Sequence, residues 1–372
     1  MFFKHMQEVG KILPKSWRLP VQARFGLEDG KSYSAIYIAE RAKIKRQHVY
    51  NATSRSVAWI KEEANNAAKR QDRNHPCFRL FAYAAKYLTA EKRFDLHKLI
   101  DICQKEFNHV PLDDMIWFGL SLFVPKNKFE LYQNNYKEIR KPQRTFNELM
   151  DLVVWHEKKT ISEKYAFSLV EQREATIVNE QLLYEKHGKK AYNYIRGHSG
   201  TFYSEKMNKI IAFESFTERD FLLKLENNDE VVRYISQPFF IPYRYNEKMH
   251  YYFPDVFIYF KNKHAVVAEV KPPKEMSSHQ NQLKWKAMHA YCKKNGFGYI
   301  ITDGNITLQE VKKMPYRKFI AEEYKKAIAK GKTDKEWIKQ HIIKKYQVTH
   351  DELSIMALNE GIKLNKKKEL IV

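Results

Sequence analysis

Two acidic residues and a lysine in the second half of the chain have the types and spacing that phosphodiester hydrolysis requires. Asp255 interrupts the aromatic and β-branched run 253–257, and Glu269 and Lys271 end the apolar run that begins at Ala265. Because they are two residues apart, Glu269 and Lys271 point to the same face if the run is a strand. Placing both charges at the end of an apolar strand costs desolvation energy, so the pattern indicates a chemical use.

Oxygen ligands are what a hard divalent cation prefers. We therefore predict that Asp255 and Glu269, together with the main-chain carbonyl of Val270, hold Mg²⁺ against a phosphate, and that Mn²⁺ can substitute. Lys271 is predicted to orient or deprotonate the attacking water. Either motif alone also fits a turn or a solvated strand edge, so the hypothesis depends on their combination.

A third acidic residue, Glu218, lies on a predicted helix whose apolar spacing places Phe221, Leu222 and Leu225 on one face. Glu218 is predicted to complete a second metal site or to position the first. The predicted catalytic residues are Glu218, Asp255, Glu269 and Lys271, and the predicted metal ligands are Asp255, Glu269, Val270 and Glu218.

The elements that must position these residues follow from apolar periodicity. Short β-type runs cover 231–235, 239–245, 251–260, 265–270 and 298–302, with a helix over about 278–294 between the last two. This order predicts a mixed α/β domain over 201–305. Helical periodicity dominates on both sides. Before the domain it covers 33–70, 76–106, 112–123 and 146–187, and after it a helix pair covers 333–345 and 349–361.

Residues 34–60 have the spacing of a helix-turn-helix. Ala39 is the small residue where the helices cross, Ile44 enters the core and Val49 anchors the second helix; Lys43 replaces the usual turn glycine and must adopt a strained or different turn. Arginine pairs with guanine, and asparagine or glutamine with adenine. The predicted DNA-binding residues are Arg46, Gln47, Asn51, Arg55, Lys43 and Lys45. The alternative is a basic surface helix without a DNA-binding role.

Composition supports a polyanionic partner. The 372 residues carry 66 Lys and Arg against 44 Asp and Glu, a net charge of +22. Residues 1–100 hold 20 of the basic residues against 9 acidic ones, half of the excess. An excess of this size favours nucleic acid or an anionic membrane surface. No run of about 18 apolar residues and no signal-peptide pattern is present, so we expect no membrane partner and a cytoplasmic, nucleoid-associated protein.

About residues 210–305 resemble the PD-(D/E)xK nuclease superfamily, and within it most closely the TnsA endonucleases of Tn7-type transposons. The stretches that carry the resemblance are Ser215-x-x-Glu218-x-x-Phe221-Leu-Leu-x-Leu-Glu226, Tyr234-Ile-Ser-Gln237-Pro238-Phe-Phe-Ile-Pro-Tyr243, Tyr251-Tyr-Phe-Pro254-Asp255, Val266-Val-Ala-Glu269-Val-Lys271-Pro272, Lys284–Cys292 and Phe297–Asp303. The family's helix glutamate falls on Glu218, its strand aspartate on Asp255, and its Glu-x-Lys pair on Glu269 and Lys271. The resemblance implies Mg²⁺-dependent cleavage that leaves 5′-phosphate and 3′-hydroxyl ends.

Periodicity and the resemblance together predict three segments. They are a helical DNA- or protein-binding region over 1–196, a restriction-endonuclease-like α/β nuclease domain over 201–305 with helices flanking a mixed central sheet, and a small helical C-terminal domain over 306–372. In the family the nuclease domain lies near the N-terminus, whereas here about 200 helical residues precede it. We expect DNA as a partner, with a transposase and an AAA+ regulator as further candidates, and a homodimer is left open.

The predicted function is therefore a metal-dependent DNA endonuclease that serves a transposon, a phage or a defence system. The alternative is a non-catalytic DNA-binding regulator or scaffold that keeps a nuclease fold. RNA also stays open as the substrate, because charge does not separate the two nucleic acids.

Overall fold

The computed structural model describes residues 1–90, 93–140, 143–169 and 199–365, and they form two compact units. The first unit contains Met1–Arg140 and Met314–Ile362. The second contains the described residues of Lys141–Lys313 and of Lys363–Ile371. The three predicted segments have other limits, and their roles as domains stay predictions.

The first unit is helical. Its N-terminal helices are Phe2–Ile12, Lys15–Arg24, Ala35–Ala42, Arg46–Lys69, Pro76–Tyr87, Leu96–Glu106, Leu112–Phe123 and Phe129–Arg140. Strands β1 (Thr89–Ala90) and β2 (Arg93–Phe94) form a short antiparallel pair. The predicted helix over 76–106 is therefore two helices, because the chain turns at this pair and Asp95 then caps a new helix by accepting a hydrogen bond from the Lys98 amide.

The C-terminal helices of this unit are Lys318–Ala329, Lys335–Ile338 with its π-helical continuation Lys339–Lys344, and His350–Glu360. Asp334 caps the second of these through the Trp337 amide, and Thr349 caps the last. Gly361 ends the last helix in the left-handed conformation, at a φ of 69°. The predicted helix pair over 333–345 and 349–361 is thus confirmed.

The second unit is built around a mixed sheet. Its strands are β3 (Gly200–Ser204), β4 (Lys209–Phe213), β5 (Val231–Ser236), β6 (Ile241–Tyr245), β7 (Lys248–Tyr252), β8 (Val256–Phe260), β9 (Ala265–Val270) and β10 (Gly298–Thr302). Four of them form a sheet in the order β10-β9-β8-β5, in which β9 and β10 are parallel and the other neighbours are antiparallel. Its helices are Phe146–Met150, Phe216–Glu226, Pro273–Met276, His279–Asn295 and Leu308–Lys313. The predicted mixed α/β character is confirmed.

Every residue of β8 and β9 is buried, as expected for the centre of a sheet covered on both faces. The core against this sheet includes Phe221, Leu222 and Leu225, so the predicted apolar face of the Phe216–Glu226 helix is confirmed.

Two predictions about local structure in this unit were wrong, and one hairpin was missed. The single strand predicted over 251–260 is two strands, because Pro254 has no N–H to donate to a ladder. The hairpin of β3 and β4 was not predicted. The helix predicted over 146–187 ends at Met150. Val154 then exchanges backbone hydrogen bonds with Tyr299 on β10. Residues 163–169 are again helical, and 170–198 lie outside the described residues.

None of the helices in the described part of the chain has the length and apolar composition needed to cross a bilayer.

Candidate active site

Asp255, Glu269 and Lys271 come together where β8 begins and β9 ends. In the antiparallel ladder Val256 pairs with Ala268. Asp255 precedes Val256 and Glu269 follows Ala268, so these two residues lie opposite each other. Asp255 precedes β8 and is not part of a strand, which corrects its predicted position. Lys271 directly follows β9 and is held by its amide, which donates to the carbonyl of Thr302 at 2.8 Å.

The ammonium of Lys271 is surrounded by oxygen atoms. Its Nζ lies 2.9 Å from Asp255 Oδ2, 3.0 Å from the carbonyl oxygen of Val270 and 3.5 Å from Glu269 Oε1. These three oxygens belong to the residues that the sequence predicts as ligands of one metal ion. The side chain of Lys271 therefore marks a position at which three oxygen donors converge on a single cation.

Asp255 is fixed by the backbone on both sides. Its Oδ2 also accepts a hydrogen bond of 2.6 Å from the amide of Val270. Its carbonyl accepts one of 2.9 Å from the amide of Gln237, a residue in the left-handed region with a φ of 50°. The Gln237 side chain in turn donates to Glu214 at 3.1 Å. The carboxylate is thus held in one orientation before any ligand binds.

Glu269 is the most deeply buried charged group of the site, only 2% exposed. Burial raises its pKa to about 7, and the negative charge of Asp255 acts in the same direction, while Lys271 and Lys284 oppose it. Burial lowers the pKa of Lys271, but Glu269 and Asp255 raise it by more, so this pKa is raised. Lys271 is consequently protonated at neutral pH and donates hydrogen bonds.

Glu218 lies in the first turn of the Phe216–Glu226 helix and is buried. Ser215 caps this helix by accepting from the Glu218 amide at 3.1 Å, and the Glu218 carboxylate reaches back to accept from the Glu214 amide at 2.8 Å. Burial raises the pKa of Glu218 to about 7, with a further contribution from the charge of Asp255. Glu218 therefore combines a capping role with an electrostatic link to Asp255.

The donor set fits a hard divalent cation. In the residues that the structure describes, no three His, Cys, Asp or Glu side chains are placed to share one ion. A metal here would use two carboxylates, from Asp255 and Glu269, and the carbonyl of Val270. Glu269 Oε2 is buried and makes no well-formed hydrogen bond among the described residues; the nearby Trp285 indole still helps to lower the Glu269 pKa, and this oxygen is available to an ion. The role of Glu218 as a ligand stays a proposal.

Sequence reasoning missed two residues beside the site. Lys284, on the His279–Asn295 helix, lowers the pKa of Glu269, and its Nζ lies 5.4 Å from the centre of the Tyr252 ring. The Tyr252 hydroxyl is buried without a hydrogen-bond partner in the described part of the chain. Both lie in stretches that resemble the family, but the resemblance assigns them no role, and the sequence does not show how the His279–Asn295 helix and β7 pack on the sheet.

The predicted helix-turn-helix is present in the first unit as two helices and a turn. Ala35, Ile38, Ala39 and Val49 form a buried cluster against which Ile44 packs. Lys43 occupies the left-handed region, with φ 53° and ψ 41°, where the motif usually has glycine. The strained turn predicted for Lys43 is confirmed.

The predicted DNA-binding side chains lie on or next to the second helix, Arg46–Lys69. Arg46, Gln47, Arg55, Lys43 and Lys45 are exposed, whereas Asn51 is half-buried. The Arg46 guanidinium donates to the Tyr50 hydroxyl at 2.9 Å, and Gln47 donates to Asn51 at 3.0 Å. Their contact with DNA stays a prediction.

Comparison with known families bears on the second unit. Residues 228–304 match the family model described as TnsA-like endonuclease N terminal. This segment of the chain is TnsA-like. The match contains Asp255, Glu269 and Lys271, and it excludes Glu218, the first unit's N-terminal helices and its C-terminal helices. No curated protein and no solved structure matched the chain.

Proposed function

We propose that the protein is a Mg²⁺-dependent DNA endonuclease whose active centre is formed by Asp255, Glu269, Lys271 and the carbonyl of Val270. One observation carries the proposal: three oxygen donors converge on a single cation inside the TnsA-like segment. Burying Glu269 beside the charge of Asp255 is costly even with Lys271 and Lys284 nearby, and metal-assisted hydrolysis is a use that offsets the cost.

In this mechanism each residue has a separate task. Asp255 and Glu269 would hold the ion, which when bound neutralises charge that develops on the phosphate. Lys271, protonated because of its raised pKa, would orient the attacking water and donate to a phosphate oxygen. Of the two roles predicted for Lys271, orientation fits this pKa better than deprotonation.

The reaction is hydrolysis of a phosphodiester. The water oxygen forms a bond to phosphorus and the water gives up a proton, while the bond from phosphorus to the 3′ oxygen breaks and that oxygen takes up a proton. The products are a 5′-phosphate and a 3′-hydroxyl. Glu218 would act from outside the ion's first three ligands, through its charge on Asp255.

The first unit would supply affinity. Its exposed Arg46, Gln47 and Arg55 suit base edges, and Lys43 and Lys45 suit phosphates. The TnsA-like match favours a mobile element as the setting, with a transposase and an AAA+ regulator as partners; a phage or a defence system is the other setting.

The test is cleavage of supercoiled and linear DNA with Mg²⁺, with Mn²⁺ and with EDTA. We expect cleavage with either metal and none with EDTA. Asp255→Asn and Glu269→Gln should abolish it, whereas Asp220→Asn should not. Asp220 is a matched control because it is an exposed carboxylate of the same unit that forms an ion pair with its neighbour Arg219. Cleavage that persists in the Asp255 and Glu269 variants would reject the site. DNA binding without cleavage under any metal would favour a non-catalytic scaffold.

A further inference from the structure

Strands β6 and β7 form a two-stranded sheet of their own beside the active centre. Burial alternates along both strands. Ile241, Tyr243 and Tyr252 are buried, whereas Pro242, Arg244, Met249 and Tyr251 are exposed. We call the second set the outer face of the hairpin.

The inner side fixes the hairpin to the His279–Asn295 helix. Gln280 donates a hydrogen bond of 2.8 Å to the Tyr243 hydroxyl, and Lys284 lies over the rings of Tyr243 and Tyr252. Only Phe253 and Pro254 separate the end of β7 from Asp255. A molecule that rests on the hairpin is therefore next to the carboxylates.

The outer face is apolar, aromatic and cationic. Met249 is 58% and Tyr251 59% exposed. Across the two strands Pro242 pairs with Tyr251 and Arg244 with Met249, so the four side chains form one continuous patch. Tyr251 is braced from the side by the Phe240 ring, at 5.4 Å between centroids.

The end of the hairpin is narrow. Asn246 and Glu247 both have positive φ, 47° and 63°, as in a two-residue turn between twisted strands. Lys248 pairs with Tyr245, so this exposed lysine lies at the tip on the face opposite to Arg244, and Glu247 is the one acidic residue between Ile241 and Tyr252. A narrow, twisted ribbon with a cationic and aromatic face has the dimensions and the charge of an element that enters a groove of duplex DNA.

We propose that the outer face of the β6–β7 hairpin contacts duplex DNA beside the bond that is cut. The inference rests on the proposed nuclease function and adds to it the surface that positions the substrate. On this face Arg244 complements a phosphate, and Tyr251 and Met249 supply the apolar contacts that bases and sugars accept. Because only Phe253 and Pro254 separate the hairpin from Asp255, this contact would lie next to the carboxylates that meet the reacting phosphate.

The experiment measures DNA affinity by fluorescence anisotropy of a labelled duplex, in EDTA so that no cleavage occurs. Tyr251→Ala and Arg244→Ala should each weaken binding about tenfold, and crosslinking from 5-iododeoxyuridine in the duplex to the hairpin should be lost in Tyr251→Ala. The matched control is Tyr203→Ala. Tyr203 is 58% exposed and lies on the other hairpin of this unit, where it pairs with Ile210. Thermal unfolding of each variant shows whether it folds.

The outcomes separate this inference from the proposed function. If the wild-type protein cuts DNA with Mg²⁺ but Tyr251→Ala and Arg244→Ala bind as tightly as the wild type, the hairpin proposal is wrong and the nuclease stands. Equal losses in Tyr251→Ala and Tyr203→Ala also overturn the proposal, since the effect is then not specific to this face. Wild-type protein that binds DNA through Tyr251 but never cuts it rejects the nuclease and retains the contact.

Discussion

The Nζ of Lys271 lies 2.9 Å from Oδ2 of Asp255, although sixteen residues separate the two along the chain. Lys271 also lies within 3.5 Å of Glu269 and 3.0 Å of the carbonyl of Val270. In this arrangement the ammonium takes the place at which a metal ion would meet the same oxygens. If the proposed ion binds these oxygens, it competes with the lysine for one position, and Lys271 would have to move away from them.

Lys271→Met should separate metal binding from catalysis. Without the ammonium the three oxygens lose their resident cation, so we expect Mg²⁺ to bind more tightly in titration calorimetry. Cleavage should nevertheless fall about 10²- to 10⁴-fold, because the group that orients the water is gone. Lys261→Met, at an exposed lysine after β8, is the control and should change neither quantity. Weaker Mg²⁺ binding in Lys271→Met would contradict the competition.

Glu269→Gln should change how the stability of the metal-free protein depends on pH. Burial raises the pKa of Glu269 in the folded state to about 7, whereas in the unfolded chain it is near 4.5. The stability that this group contributes is fully present below the unfolded pKa and is lost as pH rises through the folded pKa. The glutamine variant lacks this loss. Relative to the wild type, its free energy of unfolding should increase between pH 5 and pH 8 by about 1–3 kcal/mol.

Urea unfolding of both proteins in EDTA at several pH values measures this difference. The same experiment with Mg²⁺ supplies the second half of the test, because an ion that binds only the folded state stabilises it. Mg²⁺ should raise the midpoint of the wild type and leave Glu269→Gln unchanged. A difference between the two proteins that is constant from pH 5 to pH 8 would show that Glu269 does not titrate in this range.

Glu218 has a cap role and a charge, and two variants separate them. Glu218→Gln keeps an oxygen that can accept from the Glu214 amide but removes the charge that acts on Asp255. We expect it to reduce cleavage about tenfold or more with little change in stability. Ser215→Ala removes the helix cap instead, so it should lower the free energy of unfolding by about 1 kcal/mol and leave the rate nearly unchanged.

The sequence was sufficient to single out the acidic residues and the lysine that meet in this site. Asp255, Glu269 and Lys271 stand out because each interrupts or ends a buried apolar run, where an unpaired charge is costly. Their meeting follows from the antiparallel pairing of adjacent strands. Lys284 and Tyr252 could not be predicted, because their place depends on how the His279–Asn295 helix and β7 pack on the sheet.

Long-range packing was the other feature that could not be predicted from the sequence. Periodicity predicts the C-terminal helices but not that they pack in the same unit as the N-terminal ones. The link is Arg317, whose guanidinium donates to Glu352, to the carbonyl of Tyr346 and to the Ser32 hydroxyl. An arginine followed by helical sequence gives no sign that one of its partners, Ser32, lies 285 residues earlier in the chain.

Arg317→Met should be among the most destabilising substitutions in the first unit. The Arg317 residue is 2% exposed, and its removal leaves the largely buried Glu352 carboxylate without its partner. Loss of one member of such a pair costs about 3–5 kcal/mol. Lys325→Met breaks an exposed pair with Glu360 in the same unit and should cost about 0–1 kcal/mol. Chemical denaturation of both variants tests this, and equal costs would mean that Arg317 does not hold the unit together.

If the helix-turn-helix of the first unit binds DNA, loss of a base contact and loss of a phosphate contact should have different effects. Arg46→Ala removes an exposed guanidinium at the start of the Arg46–Lys69 helix, where base edges would be met. It should change which sequences are preferred, by about 1–3 kcal/mol at one base pair. Asn51→Ala should act in the same way, although Asn51 is half-buried and must first release Gln47.

Lys43→Ala and Lys45→Ala should weaken all sequences alike. Each lysine that neutralises a phosphate releases counterions, so each variant should reduce the slope of log affinity against log salt by about 1. Lys43 needs a second variant because its φ of 53° makes alanine strained there; Lys43→Gly removes the charge and keeps the turn. Binding measured on a randomised duplex library and across a salt series distinguishes the two classes. If the four positions leave both preference and slope unchanged, the motif does not bind DNA and the first unit is a protein-docking module.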